Sequence, residues 1–167
     1  SEMCIRDRLR TDSTLYAWGL NNLGQVGTND SINRSSPSLV TGGGSFSQIK
    51  AANSTAFAIS TTGLLYGWGQ QAIGQLNIGG TGTDTLARSS PVQIGAVSYT
   101  SVSAWGSAIT AISATDKNLY AWGLNTNGLT GDNTAVTKSS PVQVRNISLT
   151  VSTPVLIQTN NSWTSIS

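Results

Sequence analysis

The chain has 167 residues, of which 10% are charged, 38% are hydrophobic and 18 are glycine, and its formal net charge at pH 7 is +2. The charged residues are scattered singly, which argues against a nucleic-acid partner because such binding needs a basic patch or stripe. No apolar run approaches the roughly 18 residues of a membrane-spanning helix, and the abundant Ser, Thr, Asn and Gly indicate a turn-rich β protein.

The first eight residues differ in composition from the rest of the chain. They contain its only Glu, Met and Cys, which are Glu2, Met3 and Cys4. The stretch from Met3 to Arg8 reads like a translated sequencing adapter, and such additions are set aside before a fold is predicted. We therefore predict that residues 1–8 do not belong to the domain and that residues 9–167 form it.

A five-residue motif, Leu-Tyr-x-Trp-Gly, occurs three times, and its tryptophans lie 50 and 54 residues apart. A constant period of this length is typical of repeat architectures. Because Leu, Tyr and Trp are not separated by polar residues, the motif predicts a strand buried on both faces, as in a sheet packed between two others. We expect the aromatic and glycine residues of the motif to form the repeat core: Tyr16, Trp18, Gly19, Tyr66, Trp68, Gly69, Tyr120, Trp122 and Gly123.

Other landmarks keep a fixed order around this motif. A segment with an aromatic residue, Ser45–Ile49 in one copy and Ser98–Val102 in the next, precedes a short apolar strand and a hairpin turn. Ser162–Ile166 matches that segment and begins a further copy. After each motif, glycines permit a tight reversal, and Ser-Ser-Pro then opens a short apolar run, where a missing N–H does no harm. We include its prolines, Pro37, Pro91 and Pro141, among the structural repeat residues.

The order of these motifs resembles the regulator of chromosome condensation repeat over residues 9–167. The resemblance implies an all-β fold, a partial β-propeller of four-stranded antiparallel blades with about three blades present: two full repeats and a partial repeat at each end. The family usually has Gly and His in the strand after the aromatic segment, whereas this chain has Ala52 and Thr55 in one copy and Trp105 and Ala108 in the next. We therefore carry over no residue of the family's nucleotide-exchange surface.

The residues that enzymes use for acid–base or nucleophilic chemistry are scarce. The chain has no His, no Ser lies in Gly-x-Ser-x-Gly, and Asp12, Asp30, Asp116 and Asp132 each lie in a turn-like context that favours an Asx turn over catalysis. The Gly-rich stretches lack the Lys and the following helix of a phosphate-binding loop. We predict a protein that is not an enzyme and has no cofactor and no metal.

Repeat scaffolds bind through their rim loops, so we expect any binding residues on loops. The insertion around residues 77–88 carries Thr81 and Asp84, and Trp105 is the tryptophan least explained by the repeat. The leading hypothesis is a non-catalytic scaffold that recognises an unknown protein or surface. The alternatives are an exchange-factor-like propeller for a small GTPase and a sugar-binding propeller using Trp105. The low charge and high Ser, Thr and Asn content favour an exported, cell-surface or virion protein.

Overall fold

The structure is a computed structural model that describes residues 6–52, 54–76 and 87–144. Within these ranges it is all-β, as predicted, and every pair of neighbouring strands is antiparallel. The strands are β1 (Arg6–Leu9), β2 (Leu15–Gly19), β3 (Arg34–Leu39), β4 (Phe46–Ala52), β5 (Thr55–Ser60), β6 (Leu64–Gly69), β7 (Arg88–Trp105), β8 (Ala108–Ser113), β9 (Leu119–Gly123) and β10 (Lys138–Gln143).

The strands form three blades, because β7 is long enough to serve two of them. Blade 1 consists of β1, β2 and β3. Blade 2 consists of β4, β5, β6 and the first half of β7, and blade 3 consists of the second half of β7 with β8, β9 and β10. Gly95, at φ 63°, lies in the register shift of β7 between Gln93 and Ser98, both of which pair with β6. The predicted partial propeller of antiparallel blades is thus confirmed, with four strands in blades 2 and 3 and three described strands in blade 1.

Each blade has two faces, and successive side chains of a strand point to opposite ones. We call the face toward the next blade along the chain the forward face, and the opposite face the backward face. In β2, Leu15 and Ala17 lie on the forward face, packed against the blade 2 side chains Ala58 and Trp68. Tyr16 and Trp18 alternate with these residues along β2 and lie on the backward face. The motif therefore contributes large side chains to both faces of its blade, as its unbroken run of large residues predicts.

Two apolar clusters fill the spaces between the blades. The cluster between blades 1 and 2 consists of Leu15, Ala17, Val26, Val40, Phe46, Ala56, Ala58 and Trp68. The cluster between blades 2 and 3 consists of Phe57, Ile59, Leu65, Leu76, Ile94, Tyr99, Val102, Ile109, Ala111 and Trp122. Because each cluster draws on two blades, burial of apolar surface joins the blades to one another.

Three residues of the segment 1–8, which the sequence predicts to lie outside the domain, take part in the sheet. Arg6, Asp7 and Arg8 pair with β2, in register with Trp18, Ala17 and Tyr16 respectively. The equivalent positions of β5 are the buried apolar residues Ala56, Phe57 and Ala58. The strand thus begins at Arg6 rather than at residue 9, and it carries charges where blade 2 has apolar side chains. That residues 1–8 are foreign to the domain stays a prediction.

Candidate functional site at the loop end of the blades

One end of blades 2 and 3 brings together the hairpin between the first two strands of the blade and the loop between its last two. In blade 3 the Leu124 N–H donates to the Ser107 carbonyl at 2.9 Å, and in blade 2 the Gln70 N–H donates to the Ser54 carbonyl at 2.9 Å. We call this end the loop end. Among the described residues it comprises the hairpin Trp105–Ala108, the loops 20–33 and 124–137, and residues 70–76.

The glycine that ends each Leu-Tyr-x-Trp-Gly motif makes this junction possible. Gly123 has φ 93°, and a Cβ on it would lie 2.1 Å from the Ser107 carbonyl oxygen. Gly69 repeats this arrangement in blade 2, where the same atom would lie 2.2 Å from the Ser54 oxygen. Any side chain at either position would collide with the hairpin, so the motif needs glycine there.

A buried asparagine organises each fully described loop. The Asn21 Oδ1 accepts the Val26 N–H at 2.8 Å, and its Nδ2 donates to the Asp30 and Ile32 carbonyls, each at 3.0 Å. Asn125 does the same in blade 3, accepting from Thr130 at 2.8 Å and donating to the Thr134 and Val136 carbonyls at 3.0 and 3.1 Å. In blade 2, Gln71 accepts the Leu76 N–H at 2.7 Å. One amide therefore fixes backbone groups up to eleven residues away.

The motif tryptophan of blades 2 and 3 donates a hydrogen bond to a loop of the preceding blade. The Trp68 indole N–H donates to the Gln25 carbonyl at 2.9 Å, and the Trp122 indole N–H donates to the Gln75 carbonyl at 2.8 Å. Gly27 leaves room for this contact, because a Cβ on it would lie 2.8 Å from the Trp68 Nε1. The loop end is thus held both within a blade and between blades.

Gln25 and Gln75 lie beneath these loops, and their side-chain amides differ in hydrogen bonding. The Gln25 Oε1 accepts the Leu23 N–H at 2.8 Å and its Nε2 donates to the Asn22 Oδ1 at 3.1 Å. The Gln75 Oε1 accepts the Ile73 N–H at 2.9 Å in the same way, but its buried Nε2 has no hydrogen-bond partner among the residues that the structure describes. The residue equivalent to Asn22 in blade 2 is Ala72, so the acceptor is missing from the sequence itself.

The carboxylates of the loop end are engaged in turns and ion pairs. Asp30 accepts the Ile32 N–H at 3.0 Å and pairs with Arg34, and these hydrogen bonds lower the pKa of Asp30. For Asp132, desolvation by burial raises the pKa, but hydrogen bonds from Lys138, Thr134 and Thr130 outweigh it and leave the pKa below its ordinary value. The Lys138 Nζ lies 2.8 Å from the Asp132 Oδ2.

All four predicted turn-forming aspartates accept the backbone N–H two residues later, the hydrogen bond of an Asx turn. The acceptor–donor pairs are Asp12–Thr14, Asp30–Ile32, Asp116–Asn118 and Asp132–Thr134, with separations of 3.0–3.2 Å. That interpretation of the aspartates is confirmed.

The loop end also exposes large apolar side chains. Trp105 is 77% exposed at the tip of the β7–β8 hairpin, Ile32 and Val136 are each 64% exposed, and Leu129 is 42% exposed. Ile32 and Val136 occupy the same loop position, since each offers its carbonyl to the organising asparagine of its loop. Exposed apolar groups on a rigid support are typical of recognition surfaces.

The predicted repeat residues are buried to different degrees. Trp68 and Trp122 are fully buried, whereas Trp18 is half-buried because no described strand covers the backward face of blade 1. Tyr16, Tyr66 and Tyr120 are half-buried, as are Pro91 and Pro141, and Pro37 is exposed on β3 rather than in a core. Gly69 and Gly123 are buried and Gly19 is half-buried. Trp105 lies at the loop end, and Thr81, Asp84 and Trp163 lie outside the described residues.

Two kinds of residue recur at fixed positions of the repeat near the loop end and were not predicted from the sequence. The amide residues Asn21, Gln71 and Asn125 each follow the motif tryptophan by three positions, and a basic residue, Arg34, Arg88 or Lys138, precedes each Ser-Ser-Pro. Their fixed spacing was the available signal. Their roles depend on loops that fold back on themselves, which spacing alone does not show.

Within the part of the chain that the structure describes, no group of three or more His, Cys, Asp or Glu side chains is placed to hold a metal ion. No helix in those ranges is long and apolar enough to cross a membrane.

Comparison with known proteins gives a family and a fold. The profile of the regulator of chromosome condensation (RCC1) repeat matches residues 12–59. The probable E3 ubiquitin-protein ligase HERC6 of Homo sapiens is 30% identical over 144 residues, covering 83% of this chain and 14% of that protein. The ultraviolet-B receptor UVR8 of Arabidopsis thaliana is 30% identical over 151 residues, covering 88% of this chain and 33% of that protein.

Solved structures share the fold. Prp20p of Saccharomyces cerevisiae, described together with its binding to Gsp1p and histones, superposes with a TM-score of 0.73 at 20% identity, covering 87% of this chain and 37% of Prp20p. Human WBSCR16 superposes with a TM-score of 0.69 at 23% identity, covering 85% and 37% of the two chains. The chain therefore spans about a third or less of the length of these proteins.

The motif order, the antiparallel blades and the relatives agree with one another. The chain belongs to the regulator of chromosome condensation repeat family.

Proposed function

We propose that the chain is a non-catalytic interaction module that binds a protein partner through its loop end. The observation that carries this proposal is the distribution of apolar side chains. Six large apolar side chains are exposed among the described residues, and four of them lie at the loop end. The other two, Leu39 and Val97, lie away from it.

The rigidity of the loop end supports the same proposal. The organising asparagines, Asn21 and Asn125, and the interblade bonds of the two indoles fix the loops before a partner arrives. A preformed surface loses less conformational entropy on binding than a flexible one. The family relationship agrees, since the solved structures of Prp20p are described with protein partners, Gsp1p, histones and Kap60.

Affinity capture from an extract of the source organism tests this proposal. The bait is the wild-type chain, a loop-end variant with Trp105→Ser and Val136→Ser, or a control variant with Leu39→Ser and Val97→Ser. Partners quantified by mass spectrometry should be lost with the loop-end variant and kept with the control. Equal capture by all three baits would contradict a binding role for the loop end.

Regulation of a small GTPase is the second function that we propose, and the binding of Prp20p to Gsp1p supports it. Release of a fluorescent guanine nucleotide from Gsp1p, with and without the chain, tests it directly. Faster release would favour the exchange-factor role, whereas binding with unchanged release would favour the scaffold. The further proposal of an exported, cell-surface or virion location is supported by composition alone, and a sugar-binding role by the exposure of Trp105 alone.

A further inference from the structure

The loop 124–137 of blade 3 contains an exposed asparagine whose side chain is not bonded to the protein. Asn127 is exposed, and its carboxamide makes no hydrogen bond within the part of the chain that the structure describes. Leu23 and Ile73 occupy this position in blades 1 and 2, where they are half-buried. Blade 3 therefore presents a free carboxamide where the other two blades have an apolar side chain.

The residue after Asn127 is a glycine, and this neighbour makes the carboxamide reactive. The backbone nitrogen that follows an asparagine can attack the side-chain carbonyl carbon and close a cyclic imide, which is one reason why asparagine is thermolabile. A side chain next to the attacking nitrogen hinders this approach, and glycine has none. Asn127 and Gly128 form the only Asn-Gly pair in the sequence.

The other asparagines in the described ranges are held by hydrogen bonds or precede a hindered nitrogen. Five of them use the side-chain amide in a hydrogen bond with the protein: Asn21, Asn22, Asn33, Asn118 and Asn125. The remaining two, Asn29 and Asn133, precede Asp30 and Thr134, which carry side chains beside the nitrogen. Only Asn127 combines a free carboxamide with a following glycine.

The turn around Gly128 determines when its nitrogen is free to react. The Gly128 N–H donates to the Asn125 carbonyl at 3.0 Å, which engages the nitrogen in the resting loop. Residues 126–129 are all exposed, so this hydrogen bond can open to water without disturbing a packed core. A Cβ on Gly128 would approach only the Thr134 carbonyl oxygen, at 3.9 Å. Space around this backbone therefore allows the ring to close.

We propose that Asn127 is a site of spontaneous deamidation. The Gly128 nitrogen bonds to the Asn127 Cγ and gives up its proton through solvent to the departing amide, so that the Cγ–Nδ2 bond breaks and ammonia leaves. Water then opens the cyclic imide at either of its carbonyl carbons. The product is aspartate or isoaspartate, the latter with an extra carbon in the main chain. Nothing is oxidised or reduced, and water is the only other reactant.

Either product changes the loop end of blade 3. The loop 124–137 has no basic residue of its own, and Lys138, which follows it, is paired with Asp132 at 2.8 Å. A carboxylate at position 127 therefore adds a negative charge without a partner in its loop. Isoaspartate also lengthens the main chain within the turn that Gly128 closes on Asn125. The loop end thus gains charge and loses this turn as the protein ages.

Mass spectrometry of the aged full chain tests this proposal. Trypsin releases residues 118–138 as one peptide, because Lys117 and Lys138 flank it and no basic residue lies between them. After storage at neutral pH and physiological temperature, fragmentation should place the deamidation at Asn127, at a level several-fold above that of Asn133 in the same peptide. An unaged sample digested in parallel corrects for deamidation during digestion. Equal levels at the two asparagines, or none at Asn127, would overturn the proposal.

Two further measurements test the mechanism. Enzymatic methylation of isoaspartate should label the aged wild type, and Asn127→Leu, which restores the residue of blade 1, should lose most of this label. The chain unfolded in urea should deamidate at Asn127 several-fold faster than the folded chain, because the Gly128 N–H is then no longer bonded to Asn125. A label that persists in Asn127→Leu would place the reaction elsewhere and contradict the proposal, as would slower deamidation in the unfolded chain.

Discussion

At the scale of single residues, the two kinds of tryptophan should differ in their contribution to stability. Trp68 is 1% exposed and its indole N–H is bonded to blade 1, whereas Trp105 is 77% exposed. We expect Trp68→Ala to lower the free energy of unfolding by about 3–5 kcal/mol, because it removes a large buried side chain and leaves a cavity. Trp105→Ala should cost clearly less. Urea unfolding followed by circular dichroism measures both.

The variant Trp68→Phe separates packing from hydrogen bonding in this experiment. Phenylalanine keeps most of the apolar volume but leaves the Gln25 carbonyl without its indole donor. The free energy of unfolding lost with Trp68→Phe should lie between the losses for Trp105→Ala and Trp68→Ala. Equal losses for Trp68→Ala and Trp105→Ala would show that the interblade contact contributes nothing beyond that of a surface side chain.

The unsatisfied Nε2 of Gln75 predicts a stabilising substitution. Its counterpart, the Nε2 of Gln25, donates to Asn22, and Ala72 occupies the equivalent position in blade 2. Ala72→Asn should therefore raise the free energy of unfolding by about 0.5–1.5 kcal/mol, because it supplies the missing acceptor to a buried donor. Chemical denaturation of the variant and the wild type measures the difference.

The mirror substitution provides the control. Asn22→Ala removes the acceptor from blade 1 and should lower stability by a similar amount, because it leaves the Gln25 amide in the state that Gln75 has now. A variant Ala72→Asn that is no more stable than the wild type, beside a destabilised Asn22→Ala, would mean that the blade 2 loop cannot adopt the blade 1 geometry.

At the scale of elements, the loop 124–137 should make stability depend on pH. The pKa of Asp132 is below its ordinary 3.8 because hydrogen bonds from Lys138 and two threonines outweigh the effect of burial. A carboxylate with a lowered folded-state pKa stabilises the protein above its ordinary pKa, and this contribution is lost as the pH falls toward the folded value. Asp132→Asn should thus lower the free energy of unfolding at neutral pH. Between about pH 5 and about pH 2, the stability of this variant should fall less than that of the wild type.

Asp7 is the matched control because its shift has the opposite sign. Burial raises the pKa of Asp7, and the charge of Lys50 only partly compensates. Ionised Asp7 therefore costs stability at neutral pH, and this cost disappears as the pH falls. Asp7→Asn should be more stable than the wild type at neutral pH and should lose more stability in acid. If both variants gave the wild-type profile from thermal melts at each pH, neither shift would be real.

The strand β1 gives a prediction about the boundary of the domain. Removal of residues 1–5, the part of the predicted adapter that precedes β1, should leave the melting temperature unchanged. Removal of residues 1–8 should lower it by several degrees, because β2 then loses its pairing with Arg6, Asp7 and Arg8. Differential scanning calorimetry of the two truncated chains measures this difference.

Substitutions in β1 distinguish the effect of its side chains on stability from the effect of its backbone pairing. Arg6→Ala, Asp7→Phe and Arg8→Ala give β1 the residues that β5 has at these positions. The melting temperature should rise, because apolar side chains that blade 2 has at these positions replace the charges. A lower melting temperature would indicate that the charged residues belong to the native sequence of this blade.

The repeat motifs predicted most of the elements, because strand burial and turn chemistry are local properties. The three Leu-Tyr-x-Trp-Gly copies are β2, β6 and β9, and Thr61–Gly63 forms the β5–β6 turn. The single strand β7, which joins the apolar run after Ser-Ser-Pro to the next aromatic segment, was not predicted, because Gly95 bends the strand without ending it. The role of Asn125 was missed because its partners lie up to eleven residues away and meet it only in the folded loop.

At the scale of the whole molecule, no strand in the described ranges covers the backward face of blade 1, and we expect this face to influence how the 167-residue chain behaves in solution. Tyr16 and Trp18 on this face are half-buried, although Trp68 at the equivalent position of blade 2 is fully buried. Aromatic groups that a neighbouring blade would cover favour association between chains, as does a sheet with open edges. The arginines of β1 limit but do not remove this apolar area.

We therefore expect the chain to associate with itself, so that its weight-average sedimentation coefficient rises with protein concentration. Trp18→Lys should weaken the association, because it places a charge in the middle of the uncovered face, while Trp105→Lys should leave it unchanged because Trp105 lies at the loop end. Sedimentation velocity at several concentrations measures all three proteins, and thermal melts show whether the variants are folded. If Trp105→Lys weakened the association and Trp18→Lys did not, the loop end rather than blade 1 would be the self-association surface. A monomer at every concentration would show that the exposed blade face does not drive association.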